Sequence, residues 1–297
     1  MTAMAFEALA PAKVNLFLHV GARGADGYHP IRSLVTFADI GDRLALALAA
    51  AFDFVIDGEF ANGLSAGGDN LVIKAREALL AVARRPFPAF RLTLTKALPL
   101  ASGLGGGASD AAAALRLINA AVGLGCEEEA LAKIAVTLGA DGPACLRART
   151  VIAEGRGEAL REPPPMPVLH AVLVNPRIAS PTSEVYAAFD RLETARPLGE
   201  PALPPRWQSP ADVAEFLRTC RNDLETPAMT RAPVIAEVLG LLTGRKEALI
   251  ARLSGSGATV FALCPNAGAA RRLAAEMGRL RPAWWVRPCR LGERPQA

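Results

Sequence analysis

"PLASGLGGGASDAAAAL", Pro99 to Leu115, sets four glycines directly ahead of an alanine-rich segment. A helix opens with backbone N–H groups that lack carbonyl partners and with the positive end of its dipole, so its first turn is a natural seat for an anion. Glycines ahead of it let the main chain wrap close to that anion with no Cβ atoms in the way. Gly103, Gly105, Gly106 and Gly107, followed by Ser109, fit a phosphate cradle; a flexible loop before a helix is the plainer alternative.

Two other phosphate motifs are weighed against it. The pattern G-x-x-x-x-G-K-[ST] is absent from the chain. "GLGGGA" matches G-x-G-x-x-A, but the dinucleotide fold needs a strand directly before the glycines and another strand after one helix. Here Pro99 intervenes, and "CEEEALAKIAVTLG" reads as a second helix. The chain is therefore not a dinucleotide-binding βαβ unit.

Outward from this loop, alternation predicts strands near 13–20, 43–56, 90–96 and 150–154, and helical spacing covers 70–83, 109–122 and 127–138. The proline-rich "EPPPMP" (162–167) reads as a linker between an N-terminal domain, 1–162, and a C-terminal one, 168–297. Beyond it, the expected order is a strand over 168–174, helices over 183–192, 210–221 and 227–242, two strands around the glycines of 248–264, a helix over 266–280 and a strand over 283–289. That order resembles a split βαβ sandwich. "ETARPLGEPALPPRWQSP" (193–210) shows no period.

With 297 residues, 51% hydrophobic and 21% charged, the chain has the composition of a globular protein of one large or two ordinary domains. Its net charge of +4 comes from scattered arginines, which suits an anionic small molecule better than a nucleic-acid track. Five widely separated cysteines without a C-x-x-C pair read as reduced core thiols. "MTAMAFEALA" has no basic n-region, and "LALALAAAF" (44–52) is far shorter than the roughly 20 residues of a membrane helix. The expectation is a cytoplasmic protein with no membrane or nucleic-acid partner, either a monomer or a weak homodimer.

Three short segments hold candidate chemistry. In "PAKVNLFLHV", Lys13 and Asn15 share a strand face, either gripping a hydroxyl or phosphate or simply solvated. In "LGADGPA", Gly139 stops a helix and Pro143 prevents its resumption, leaving Asp141 on an exposed turn as a general base or a mere turn residue. In "GADGYHPI", Tyr28 and His29 can stack on and hydrogen-bond a planar ring, or cover the edge of the core. Asp110, beside the glycines, either caps the helix or reaches a metal through water. No His/Cys cluster has metal-ligand spacing, so no protein-built metal site is expected.

In this order, "PAKVNLFLHV", "RGADGYHPIRSLVTFADIGDRL", "DNLVIKA", "LPLASGLGGGASDAAAAL", "LGADGPACL", "AEGRGE", "NDLE" and "SGSGATVF" resemble the GHMP family of small-molecule kinases across nearly the whole chain. The resemblance implies an α+β fold: an N-terminal domain like ribosomal protein S5 domain 2 and a ferredoxin-like C-terminal domain. It implies ATP with Mg²⁺, the nucleotide lying against Asn70, Lys96, Pro99, Ser102, Gly103, Leu104, Gly105, Gly106, Gly107, Ala108 and Ser109. By position Asp141 matches the catalytic base and Lys13 its partner, while Asn15, Tyr28, His29, Thr182 and Tyr186 match the substrate site. Gly255, Ser256 and Gly257 match a second glycine loop. "ADGYH" and the triple glycine imply the branch whose acceptor is the 2-hydroxyl of 4-diphosphocytidyl-2-C-methyl-D-erythritol, in non-mevalonate isoprenoid biosynthesis, ahead of the mevalonate and homoserine branches. The rival from another class is an RNA-binding module. Where the family often has two serines after the third glycine, this chain has Ala108 and then Ser109.

Overall fold

The computed structural model describes residues 6–83, 88–192 and 197–292. Met1 to Ala5 and the start of the 193–210 stretch, on which expectations above touch, lie outside them. The spine is a long antiparallel pair, β1 (Phe6–Val20) and β2 (Ile31–Leu48). From Ala10 onward β1 is buried without interruption, so neither of its faces is solvated. Register shifts between Pro11 and Lys13 and between Asn15 and Phe17 break its alternation.

On β2 pair β4 (Phe90–Thr95) and β5 (Val151–Gly155), with β3 (Asp53–Asp57) parallel to β4 and β6 (Ala159–Arg161) against β5. The strand expected over 43–56 is thus two, broken at 49–52. Its first part extends back to Ile31, where burial on both faces erased any alternation.

Helices α1 (Leu71–Val82), α2 (Gly106–Val122), α3 (Glu128–Leu138) and α4 (Gly142–Arg147) share a core with this sheet. Helix α2 packs against β1, β2 and the other three helices, and Ala111, Ala112, Ala113 and Ala114 are all buried. Only small side chains on every face let one helix be surrounded so closely. Helix α4 was not expected: Pro143 does not bar a helix but stands in its first turn, where a missing N–H costs nothing.

The C-terminal half holds β7 (Leu169–Asn175), β8 (Ile250–Leu253), β9 (Val260–Cys264) and β10 (Trp285–Leu291) in the antiparallel order β10-β7-β9-β8. Numbered within this half the order is 4-1-3-2, the ferredoxin-like arrangement the pattern of elements implied. Packed with them are α5 (Thr182–Arg191), α6 (Pro210–Thr219), α7 (Glu225–Arg231), α8 (Val234–Thr243) and α9 (Ala267–Leu280). One helix was expected over 227–242. Pro233 divides it, because the residue before a proline avoids the helical region, and Ala232 has φ −138° and ψ 85°.

The Glu162–Pro167 stretch lies between β6 and β7 without regular structure. Leu291 of β10 pairs with Ala38 of β2, so the strands of both halves form one continuous sheet.

Candidate active site

A cleft of about 1190 Å³ runs between the glycine loop, the 23–31 turn, α5 and residues 136–141. Its glycine-loop side begins with Gly103 (φ +76°) and Gly105 (φ +63°), both in the left-handed region that favours glycine. A Cβ at Gly103 would stand 2.2 Å from the Ser254 carbonyl oxygen, and one at Gly105 would stand 2.9 Å from Lys13 Cε. Gly105 is the N-cap of α2 and supplies no side-chain cap. Ser109 N–H makes the helix's first bond, to Gly105 O, which leaves the Gly106, Gly107 and Ala108 N–H groups without intrahelical partners. The loop thus presents three main-chain N–H groups at the start of α2.

Segments from both halves hold the loop. Leu104 O accepts from Lys13 N, Ser102 O from Thr259 N, Ala101 O from Ser180 N, and Gly103 O from Ser254 Oγ. The second glycine loop thus backs the first, and Gly255 and Ser256 line the same cleft.

On the cleft floor, Lys13 Nζ lies 3.0 Å from Asp141 Oδ1 and donates to Asn15 Oδ1 at 2.9 Å. Asn15 Nδ2 donates to Ser33 Oγ, and that hydroxyl donates to Phe17 O, so the amide is oriented from below. Lys13 and Asn15 are 5% and 3% exposed, which removes the solvated-face alternative. Asp141 remains 45% exposed at its side chain, at the N-cap of α4. A close approach sets its position: a Cβ at Gly142 would stand 2.1 Å from Ala135 O of α3.

At the far end Tyr28 is 55% exposed, with the Arg156 guanidinium 4.0 Å from its ring centroid. Arg156 is in turn paired with Asp26 at 2.7 Å. The Tyr28 N–H and then Arg156 hold the Asp26 carboxyl below its ordinary value. Tyr186 faces the His29 ring at 5.3 Å, and burial, with Asp141 adding to it, pushes its hydroxyl well above the usual range. Both His29 ring nitrogens are engaged, with Gly21 O at 2.9 Å and Asp190 Oδ1 at 3.0 Å. Thr182 Oγ1 meets Ser256 Oγ at 3.0 Å.

Lys96 also reaches the cleft, but its ammonium is held between Asp42 and Asp110, with Asp110 at 2.7 Å. Asp42 Oδ1 accepts from the Ala97 and Leu98 N–H groups. Asp110 Oδ1 has no hydrogen-bond partner. Burial, opposed by Lys96 and reinforced by Asp42, pushes the Asp110 carboxyl up to about 8. Burial opposes the Lys96 charge too, but the two carboxylates outweigh it and raise its value. Asp110 therefore does not cap α2, and it pairs behind the loop.

Three of the nucleotide residues expected from sequence do not line the cleft. Asn70 caps α1, accepting from Val72 N. Leu104 is core, wholly buried. Ser109 donates its hydroxyl to Pro11 O at 2.7 Å and is also wholly buried. Sequence reasoning missed Asp42, Arg156 and Asp190, since nothing in local spacing joins them to the Lys96, Asp26 and His29 partners that lie 54 or more positions away.

Residues 70–149 match the family model of the GHMP kinases N terminal domain and residues 208–282 that of the GHMP kinases C terminal domain. A Caulobacter vibrioides protein named 4-diphosphocytidyl-2-C-methyl-D-erythritol kinase is 50% identical over 97% of this chain and all of its own length. The chain belongs to the GHMP kinase family. As a GHMP kinase it is an ATP-dependent enzyme that phosphorylates a small molecule. A Dinoroseobacter shibae kinase of the same name is 44% identical over 94% of this chain and 92% of its own. A crystal structure of 4-(cytidine 5'-diphospho)-2C-methyl-D-erythritol kinase superposes with a TM-score of 0.75 at 33% identity, covering 97% of this chain and 99% of that one. Homoserine kinase from Cytophaga hutchinsonii, with a TM-score of 0.72 at 18% identity over 99% and 97%, shares the GHMP kinase fold. Among the described residues no helix is long and apolar enough to cross a membrane, and no group of three or more His, Cys, Asp or Glu can hold a metal. All five cysteines are free thiols, four of them buried.

Proposed function

We propose that this GHMP kinase transfers the γ-phosphoryl group of ATP to the 2-hydroxyl of 4-diphosphocytidyl-2-C-methyl-D-erythritol. The observation that carries this reading is the Lys13–Asp141 ion pair of 3.0 Å, set in one cleft between the glycine cradle and the two tyrosines. Phosphoryl transfer needs in-line positioning and charge neutralisation more than covalent help. In this reading the Gly106 to Ala108 N–H groups and the α2 dipole take the phosphates. Asp141 accepts the proton of the attacking hydroxyl, and Lys13 orients that carboxylate and offsets charge gathering on the transferred group. Tyr28 and Tyr186 take the faces of the base.

Mg²⁺ fits this site when carried by the triphosphate, because a magnesium ion commonly keeps several waters and one or two carboxylates beside phosphate oxygens. The described residues supply no dedicated cage, and Asp141, a partly exposed carboxylate on the cleft surface, would be the side chain to hold it. The chemistry it would supply when bound is neutralisation of phosphate charge.

The deciding experiment measures ADP release with the cytidyl alcohol, mevalonate and homoserine in parallel, for the native chain and Asp141→Asn. Activity confined to the cytidyl alcohol, and a loss of about 10²- to 10⁴-fold in Asp141→Asn with ATP still bound, is the expected result. Turnover of another alcohol instead, or near-native turnover by the variant, would refute the substrate or the base respectively.

A further inference from the structure

The His29 side chain has no nitrogen to offer a ligand. Nδ1 faces Gly21 O at 2.9 Å and Nε2 faces Asp190 Oδ1 at 3.0 Å, and the side chain is only 7% exposed. Both ring nitrogens therefore face oxygens of the protein itself, and neither is turned towards a ligand. Its flat faces are spoken for as well: Tyr186 lies against it at 5.3 Å, and Phe189 meets it edge-on at 5.5 Å.

The three groups joined by this ring belong to different parts of the fold. Gly21 follows β1, His29 sits next to Tyr28 on the turn before β2, and Asp190 lies on α5 one helical turn beyond Tyr186. Arg23, from the same turn as Tyr28, approaches the other Asp190 oxygen at 3.8 Å. The link through Asp190 therefore ties the turn that carries Tyr28 to the helix that carries Tyr186.

We propose that Asp190 is a positioning residue for nucleobase recognition: through His29 it fixes the spacing between the Tyr28 turn and the Tyr186 helix, and so the width of the slot that accepts a planar base. This rests on the cytidyl reading above. Stacking gains little if the slot is too wide, because dispersion contacts fade within an ångström of extra gap. Asp190 does not need to touch the base for its loss to be felt there.

The test is calorimetric titration of the intact protein with cytidine 5'-diphosphate, with steady-state kinetics alongside, for native, Asp190→Ala, Asp190→Asn, His29→Ala, His29→Gln and the double variant Asp190→Ala/His29→Ala. Expected are tight diphosphate binding by the native chain and about a tenfold or greater weakening in Asp190→Ala. That loss should fall on KM for the cytidyl alcohol rather than on kcat or on KM for ATP. Asp190→Asn keeps an acceptor oxygen and His29→Gln keeps a donor at the Nε2 position, so both should recover much of the loss. The double variant should be no worse than His29→Ala alone, since Asp190 acts through that ring. Native-like binding by Asp190→Ala, additive losses in the double variant, or an equal fall in ATP affinity would overturn the proposal. A native chain that ignores the diphosphate would overturn the cytidyl reading itself, and this inference with it.

Discussion

Asp110 is the residue whose environment departs furthest from what its sequence position suggests. A carboxylate beside a loop suited to phosphate is electrostatically awkward, and burial, reinforced by Asp42 against the opposing Lys96 charge, resolves the difficulty by keeping its proton on near neutral pH, with its value raised to about 8. The folded chain then binds a proton that the unfolded chain, with an ordinary carboxyl near 4, has released. That contribution is complete below the unfolded value and is lost as pH rises through about 8. Asp110→Asn is expected to remove this loss. Between pH 6 and 8 the native chain should lose stability relative to the variant by up to about 1.4 kcal/mol per pH unit, read by urea unfolding at each pH. Parallel curves would show that Asp110 is already ionised. Asp42→Asn should be far more damaging, on the order of 3 kcal/mol, because it removes the charge that faces the buried Lys96 ammonium and can set an amide NH₂ donor against it, even though the amide oxygen can still accept from the Ala97 and Leu98 N–H groups. Lys13 and Asp141 were legible at this scale as candidates. Their pairing across 128 residues was implied by the family resemblance and not by local spacing, and the burial that decides between a solvated face and a site is a tertiary fact.

The glycine loop and α4 are where element geometry decides chemistry. Gly142→Ala is expected to cost about 1–3 kcal/mol, because its Cβ would meet backbone rather than a movable side chain. It should also lower kcat more than KM, since Asp141 rides on the same turn; thermal melts and kinetics measured together test both. Gly103→Ala meets a backbone oxygen at an unfavourable φ and should weaken ATP binding along with stability. A variant that melts and binds ATP as the native chain does would show that the two glycine loops can separate without harm. The helix starts and the cradle were readable because glycine, serine and alanine carry local conformational meaning. The early part of β2 and the short α4 were not: a strand buried on both faces has no alternation, and a six-residue helix has too few turns for a period.

At the scale of the molecule, the two halves divided by the proline stretch share a core. Phe17, Leu16 and Ala12 of β1 pack in one cluster with Leu173, Phe261, Trp285 and Trp207 from beyond that stretch. Phe17→Ala, which empties a side chain 1% exposed, is expected to cost about 3–5 kcal/mol. It should lower the tryptophan-fluorescence midpoint together with that of far-UV circular dichroism, although all three tryptophans belong to the C-terminal half. Two separated transitions would show that the halves unfold independently.

Local sequence was sufficient for the glycine turn ahead of α2, most of the helices and the succession of elements in the C-terminal half, because backbone preference and periodicity act over a few residues. It named Lys13, Asp141 and Tyr28 as candidates, while Tyr186 and the grouping of these residues in one site came from the family resemblance. Only the packed chain decided that Lys13 faces Asp141, that Lys96 is shared by two carboxylates and that His29 is spent on Gly21 and Asp190, since each depends on contacts between residues far apart in the chain.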